Sequence, residues 1–598
     1  MSRLPVQVRS SAPSTTERKI LEILVINSLK QRLITNLYEV FAGAEFQGVD
    51  KIKLGNINLN NINLQEPKNK NFGDISTNAA MVLAPVMKQN PMAVAKMLVD
   101  SIFSKWAEIE NINVANPGFI NFELTKEFIK NRLAKISLKN EDYGFNSSGH
   151  GIKIQIEFVS ANPTGKLHIG HGRWAALGDT LSNIYAANGF DVQREYYVND
   201  FGTQIKNFAS CIGCLYLGYF EKETPYPEEG YPEDLVKTVA EEIFKANGDK
   251  FLINSKGEIN VDLEAIGKEG VKIMLSHIKN TLASIGVEFD EWFFESTLYD
   301  NSNFENVMKE LKDSKVVYEK ENALWFRSSD FGDDKDRVII RSDGEPTYFA
   351  SDILYLINKI KRGFERLIYI LGADHHGYIK RLHAIGNAVG YGGEKINVII
   401  GQLVKLVKKG QAVKMSKRRG KVYSLDDLVA EVGKDAVRYF FSMNSFDTPM
   451  DFDLDLAKQK SSQNPVYYVQ YAHARISSVI ENVNQIKKQS EQAVKGNSNN
   501  AGDLSLLDVE KFNSVELELA KTLVFYPDII YDSCLNNAPH LLTKYLYRLA
   551  SQFHYFYNHY RIIDENHLDS NRFLLVLLVR IVLRNGLKIL NVSSPEKM

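Results

Sequence analysis

Two imidazoles three residues apart, His168 and His171, and two ammonium groups three residues apart, Lys414 and Lys417, are the groups in this chain best suited to hold a polyphosphate. The first pair stands in His168-Ile-Gly-His171 and the second in Lys414-Met-Ser-Lys417, within a run that continues Arg418, Arg419 and Lys421 between Gly410 and Gly420. Four-letter strings of this kind recur by chance, and most lysine runs are solvated faces. Their order, and the strand pattern ahead of the first, point to one chemistry. Imidazoles at a helix start and cations on a hinged loop can grip the triphosphate of ATP from two sides and move an adenylyl group. His168, His171, Lys414 and Lys417 are therefore the candidate catalytic residues. Gly170, Met415 and Ser416 join them as candidate ATP contacts, Gly170 because a residue without Cβ lets a flat base approach the backbone.

The elements that must position these groups are legible around the histidines. Ile152-Lys-Ile-Gln-Ile-Glu-Phe-Val159 alternates with period two and predicts a strand. Asn162-Pro-Thr-Gly165 supplies turn chemistry, and the spacing from about Ile169 to Ala187 predicts a helix closed by Asn188-Gly189. A further strand spans Val192 to Val198. Strand, turn, helix and strand open a doubly wound α/β domain, in which ligands bind beyond the strand C-termini. The α/β pattern returns at Val338-Ile-Ile340, Leu367-Ile-Tyr-Ile-Leu371 and Val398-Ile-Ile400, after an apparent insertion from about Gln204 to Asp330. Gly372-Ala-Asp374-His375-His376-Gly377 follows the second of these, so Asp374 and His375 are candidates for the ribose and nucleotide.

With 598 residues, 44% hydrophobic and 24% charged, the chain has the composition of several packed domains. The apolar run Phe573 to Val579 is too short to cross a bilayer. A formal net charge of −1 excludes a global pull toward nucleic acid, so any RNA contact must use local patches. Three cysteines argue against a disulfide framework and fit a reducing cytoplasm. Cys211-Ile-Gly-Cys214 lacks a partner pair, and a metal at His375-His376 is disfavoured because adjacent histidines point apart, so no metal residues are expected. The first 18 residues are basic and Ser-rich; a disordered tail and a targeting peptide both fit. Helical spacing from Ile20 to Tyr38 and from Met81 to Phe103, with alternation ending at Pro117-Gly-Phe-Ile-Asn-Phe122, predicts a small α+β domain before the linker at 143–151. After Asp451 the pattern is almost wholly helical.

Glu157-Phe-Val-Ser160-Ala-Asn162-Pro-Thr-Gly-Lys-Leu-His168-Ile-Gly-His171-Gly-Arg173 resembles the first signature of the arginyl-tRNA synthetases, a class I family. Tyr196-Tyr-Val-Asn-Asp200-Phe-Gly202, Asn464 to Arg475 and the ending Ser594-Pro-Glu-Lys-Met598 are similar to the same family. The resemblance implies an α/β Rossmann-type parallel-sheet catalytic domain with an insertion, a small α+β N-terminal domain and an all-α C-terminal anticodon-binding domain. The expected boundaries are a tail at 1–18, a tRNA-elbow domain at 19–150, the catalytic domain at 151–405 with its insertion near 204–330, the Lys-Met-Ser-Lys loop and stem-contact region at 406–458, and the anticodon domain at 459–598. It also implies ligation of L-arginine to tRNA(Arg) through an arginyl-adenylate, with Mg2+ carried by ATP, no resident metal, a monomer and a cytoplasmic location. Among family members arginine activation commonly requires tRNA.

Carried over residue by residue, Glu157, Ser160, Asn162, Tyr348 and Asp352 match positions that hold arginine. A guanidinium is a planar fork of donors that asks for carboxylates and a phenol in fixed geometry. Tyr348 and Asp352 share a face if their segment is helical. Such a site rejects neutral side chains by leaving its acids unpaired, so no editing is expected. The family pattern is broken at Lys166, where many relatives carry Pro, and some relatives have glutamine around Asp374 and His375. A cysteinyl or methionyl enzyme and an inactive tRNA-binding paralogue are the rival readings; the acids disfavour the first and the two phosphate signatures the second.

Overall fold

The computed structural model describes residues 24–42, 61–255, 258–413, 423–493, 506–565 and 567–598. The Lys414–Lys417 signature and the 1–18 tail lie outside the described residues.

The central layer is a parallel sheet whose strands, in chain order, are β1 (Lys153–Glu157), β2 (Asp191–Val198), β3 (Glu291–Phe294), β4 (Arg366–Gly372) and β5 (Ile396–Gly401). Their spatial order is β5-β4-β1-β2-β3, every neighbouring pair parallel. Helix α1 (Ile169–Ala187) makes the crossover from β1 to β2. Helices α2 (Tyr348–Lys361) and α3 (Tyr378–Ala388) flank β4 in sequence. The chain leaves β1 earlier than the alternation predicts, because Val159 and Ser160 have φ of 71° and 38° and turn the backbone across the sheet edge.

Two strand readings need correction. Val338 to Ile340 belongs to a separate three-stranded antiparallel sheet with Val317–Lys320 and Ala323–Phe326, because it pairs with the hairpin beside it. β3, inside the stretch read as inserted, instead joins the parallel sheet through Tyr196 and Trp292 and their neighbours. The rest of that stretch includes three helices, Thr203–Gly218, Glu233–Asn247 and Leu263–Ser284, packed on a core of their own.

The N-terminal segment folds as a four-stranded antiparallel sheet with helices. The helical stretch expected from Met81 to Phe103 is two helices, Ala79–Met87 and Pro91–Ser101, since Asn90 caps the second and Pro91 cannot continue the first. C-terminal helices Pro465–Ala493, Ser514–Val524, Tyr526–Leu535, His540–His559 and Ser570–Ile589 form a bundle. The apolar run Phe573 to Val579 lies inside it, almost all of it buried. One continuous core joins the N-terminal domain, α1 and this bundle. No helix among the described residues is long and apolar enough to span a membrane.

Candidate active site

His168 is the N-cap of α1 and His171 its third residue, and each caps the other's backbone. His168 Nδ1 accepts from the N–H of Gly170 at 3.1 Å and of His171 at 3.4 Å, while His171 Nδ1 accepts from the N–H of His168 at 3.3 Å. The rings stack with centroids 3.7 Å apart. An accepting Nδ1 leaves the proton on Nε2, so both neutral rings carry their N–H donor away from the cap. Burial, reinforced by His168, pushes the His171 imidazole down to about 3, so the ring is neutral. A Cβ on Gly170 would meet the His168 ring at 2.9 Å. Gly170 therefore makes room for the cap.

Small residues bring α1 close to its neighbours. A Cβ on Gly401 would fall 2.1 Å from the Trp174 ring, and one on Gly178 would fall 2.4 Å from Phe158. Fully buried Arg173 ties the helix to three carbonyls, of Gln402, Ser445 and Thr448, at 2.8–3.0 Å. At the end of β4, Asp374 is exposed and lies 3.6 Å from the His375 ring. Both described flanks of the Lys414–Lys417 stretch are ordered by backbone hydrogen bonds. Val413 N–H donates to Leu406 O at 2.8 Å, and Leu425 N–H to Leu167 O at 2.8 Å.

An acidic pocket occupies the C-terminal edge of β1 and β2. Glu157, 6% exposed, ends β1; its Oε1 lies 3.4 Å from Ser160 Oγ, which itself accepts the Tyr197 N–H at 3.1 Å. Asn162 donates to Gln204 at 2.7 Å. Tyr348 opens α2 with 70% of its surface exposed, and Asp352 follows one turn later, as the spacing requires. Burial, opposed by Arg381 at 3.5 Å, pushes the Asp352 carboxyl up to about 7.

Two pocket residues escaped the sequence reading. Glu295, just past β3, is buried, accepts from Ser351 Oγ at 2.9 Å, and has its pKa raised by burial. Burial and the charges of Glu295, Asp352 and Glu157 raise the pKa of Tyr197, whose hydroxyl stands among these three acids. Its only sequence signal was its place in the Tyr196-to-Gly202 string.

A parallel doubly wound sheet, a histidine pair capping the first crossover helix and a carboxylate pocket beside it define a class I aminoacyl-tRNA synthetase. Family models agree. Residues 132–479 match the class I (R) tRNA synthetase catalytic domain, 29–124 the arginyl tRNA synthetase N-terminal domain and 469–598 the DALR anticodon binding domain. The arginine–tRNA ligase of Geobacillus thermodenitrificans is 43% identical over 540 residues, 90% of this chain and 94% of that protein. That of Geobacillus kaustophilus is 40% identical over 96% of this chain and 100% of its own. A Campylobacter jejuni structure described as an arginyl-tRNA synthetase superposes with a TM-score of 0.70 at 32% identity, covering 79% of this chain and all of that one. The chain belongs to the arginyl-tRNA synthetase family, the ligases that charge tRNA(Arg) with arginine for translation.

Proposed function

We propose that L-arginine is activated with Mg-ATP at the C-terminal edge of the parallel sheet and then passed to tRNA(Arg), with roles divided as follows. His168 and His171, beside Gly170, donate to the phosphates from one side; Lys414 and Lys417, with Met415 and Ser416, close from the other. Asp374 and His375 meet the ribose and base. Glu157, Ser160, Asn162, Tyr348 and Asp352 hold arginine, and Glu295 joins them. An arginine carboxylate oxygen attacks the α-phosphorus, the bond to the β-phosphate oxygen breaks, and arginyl-adenylate and pyrophosphate result. The terminal 2′-hydroxyl of the tRNA then attacks the acyl carbon, and AMP departs. No protein nucleophile is required, because alignment and charge stabilisation carry both steps.

The observation that carries this reading is the grouping of three buried or half-buried acids, Glu157, Glu295 and Asp352, around Tyr197, with exposed Tyr348 at the mouth. Burial raises the pKa of the Glu295 and Asp352 carboxyls, and a guanidinium, which supplies charge and donors together, favours their ionised form. In the bundle, Tyr547 and Tyr555 are exposed aromatics, and we assign them to anticodon bases. Tyr467, Tyr468, Tyr471 and Tyr557 are half-buried and serve packing. The N-terminal domain meets the tRNA elbow. The protein acts in the cytoplasm as a monomer.

The test is a charging assay with a panel of amino acids, run beside arginine-dependent pyrophosphate exchange with and without tRNA. Arginine alone should be charged, exchange should need both Mg2+ and tRNA, and chelation should abolish it. Equal charging of a neutral amino acid would overturn the pocket assignment.

A further inference from the structure

The alternation of β1 that marks it as a strand also puts Gln155 and Glu157 on one face. In the register of the sheet these lie beside Gln193 and Glu195 of β2. An alternating strand normally turns its polar residues to water. Here that face is covered by α2, and Gln155 and Glu195 are fully buried. The last turn of α2 and the residue after it supply the cations. Arg362 forks onto Glu195 at 2.5 and 3.0 Å, and Lys359 Nζ reaches Glu157 Oε2 at 2.6 Å. Lys359 has no exposed surface, and its ammonium sits 4.0 Å from the Tyr355 ring centroid and 3.9 Å from that of Tyr369.

Burying an ammonium between two rings is a poor way to gain stability, since apolar residues of equal volume do as well or better. What the arrangement achieves is geometric. One oxygen of Glu157 is held from beneath by Lys359, and the other, Oε1, is turned toward Ser160 at the pocket. A carboxylate gripped at one oxygen by a fully buried side chain is held close to one orientation.

We propose that Lys359 is a positioning residue of the arginine site, pinning Oε2 of Glu157 so that Oε1 faces the substrate at a fixed angle. This rests on the reading of Glu157 as an arginine ligand. Lys359 touches no substrate; it acts through Glu157.

A double-mutant cycle on the full-length enzyme, read as KM for arginine and for ATP in tRNA-dependent pyrophosphate exchange, tests this. Lys359→Met should raise KM for arginine by about 10- to 100-fold, the scale of one charged hydrogen bond, with KM for ATP changed by less than about twofold. Lys359→Arg, which keeps a cation in place, should recover most of the loss. In a Glu157→Gln background, Lys359→Met should add no further rise, because the group it acts through is already gone. If Lys359→Met does not fold, Lys359→Gln takes its place in the cycle, with the same outcomes expected. Full additivity with Glu157→Gln, parallel rises in both KM values, or an unchanged KM for arginine in the Lys359 variant each overturn the proposal. If Glu157→Gln alone leaves KM for arginine unchanged, the ligand reading of Glu157 itself fails, and the inference falls with it. A rise with Glu157→Gln but none with Lys359→Met rejects the inference and spares that reading.

Discussion

Ser424 pairs with His168 in an isolated antiparallel bridge, so the chain leaving the Lys414–Lys417 stretch is seated on the residue that caps the histidine helix. The next residue, Leu425, is fully buried, and a Cβ on Gly172 would strike its side chain at 2.5 Å. The histidine helix and the residues that follow the Lys414–Lys417 stretch, more than two hundred residues apart in sequence, thus share a joint. Leu425→Ala would empty that joint without touching either signature. We expect turnover in pyrophosphate exchange to fall about tenfold through misalignment, with KM for arginine unchanged. Steady-state exchange kinetics at saturating arginine check this, and unaltered turnover would show that the joint does not align the signatures.

His171→Ala breaks the reciprocal cap and, on the proposed reading, removes a donor to the phosphates. The expected loss of turnover is about 10²–10³-fold, the usual effect of deleting one transition-state donor. Because the ring stays neutral down to about pH 3, its protonation contributes no inflection to the rate between pH 5 and 9. An inflection near 6.5 that vanishes in His171→Ala would contradict this.

How much of this was visible beforehand depends on whether a signal was local. The β1–turn–α1 unit was legible because alternation, Pro-Gly turn chemistry and helical spacing are all written within forty residues. Tyr348 and Asp352 were legible as one face because their spacing is a helical turn. Glu295 was not: it follows a four-residue strand whose partner, β2, lies about a hundred residues earlier, and nothing in its neighbourhood marks that pairing. Val338 to Ile340 was misplaced for the converse reason, since a short β-branched run reads alike in parallel and antiparallel sheets. Lys359 stands beside Lys361 and Arg362 and reads as one of several solvated lysines in a last helical turn. Only the strand register beneath shows that it faces Glu157.

Asp528, in the C-terminal bundle and 1% exposed, caps the first described helix, Ile26–Ala42. Its carboxylate accepts the Val25 N–H at 2.8 Å, and the Asn27 N–H and side-chain amide at 3.1 Å. Together with the Arg548 fork onto Glu66 at 2.8 and 3.1 Å, this fastens the N-terminal domain to the bundle. Asp528→Ala strands buried donors and should cost about 1–3 kcal/mol, read as a lower urea midpoint. If the N-terminal domain holds the tRNA elbow, KM for tRNA should rise while tRNA-saturated exchange stays near normal. A variant with wild-type urea stability would remove the cap from the account of domain docking.

Asp352 gives the enzyme a pH signature near neutrality. Its carboxyl is raised to about 7, chiefly by burial, so in the free enzyme at pH 6 most molecules carry it protonated. Between the unfolded carboxylate range and pH 7 the folded state binds the extra proton. Asp352 therefore favours folding at low pH, and that contribution is lost as pH climbs through 7. Arginine has the opposite preference. If Asp352 holds the guanidinium as proposed, binding must expel the proton below pH 7, so affinity should rise by up to about tenfold per pH unit and level off above 7. KM for arginine in tRNA-dependent exchange should thus fall between pH 6 and 8, and the thermal shift produced by arginine should grow over the same range. Asp352→Asn should raise KM and flatten both dependences. A wild-type KM that stays level from pH 6 to 8 would mean that the guanidinium charge is met elsewhere, with Glu295 the next acid to test.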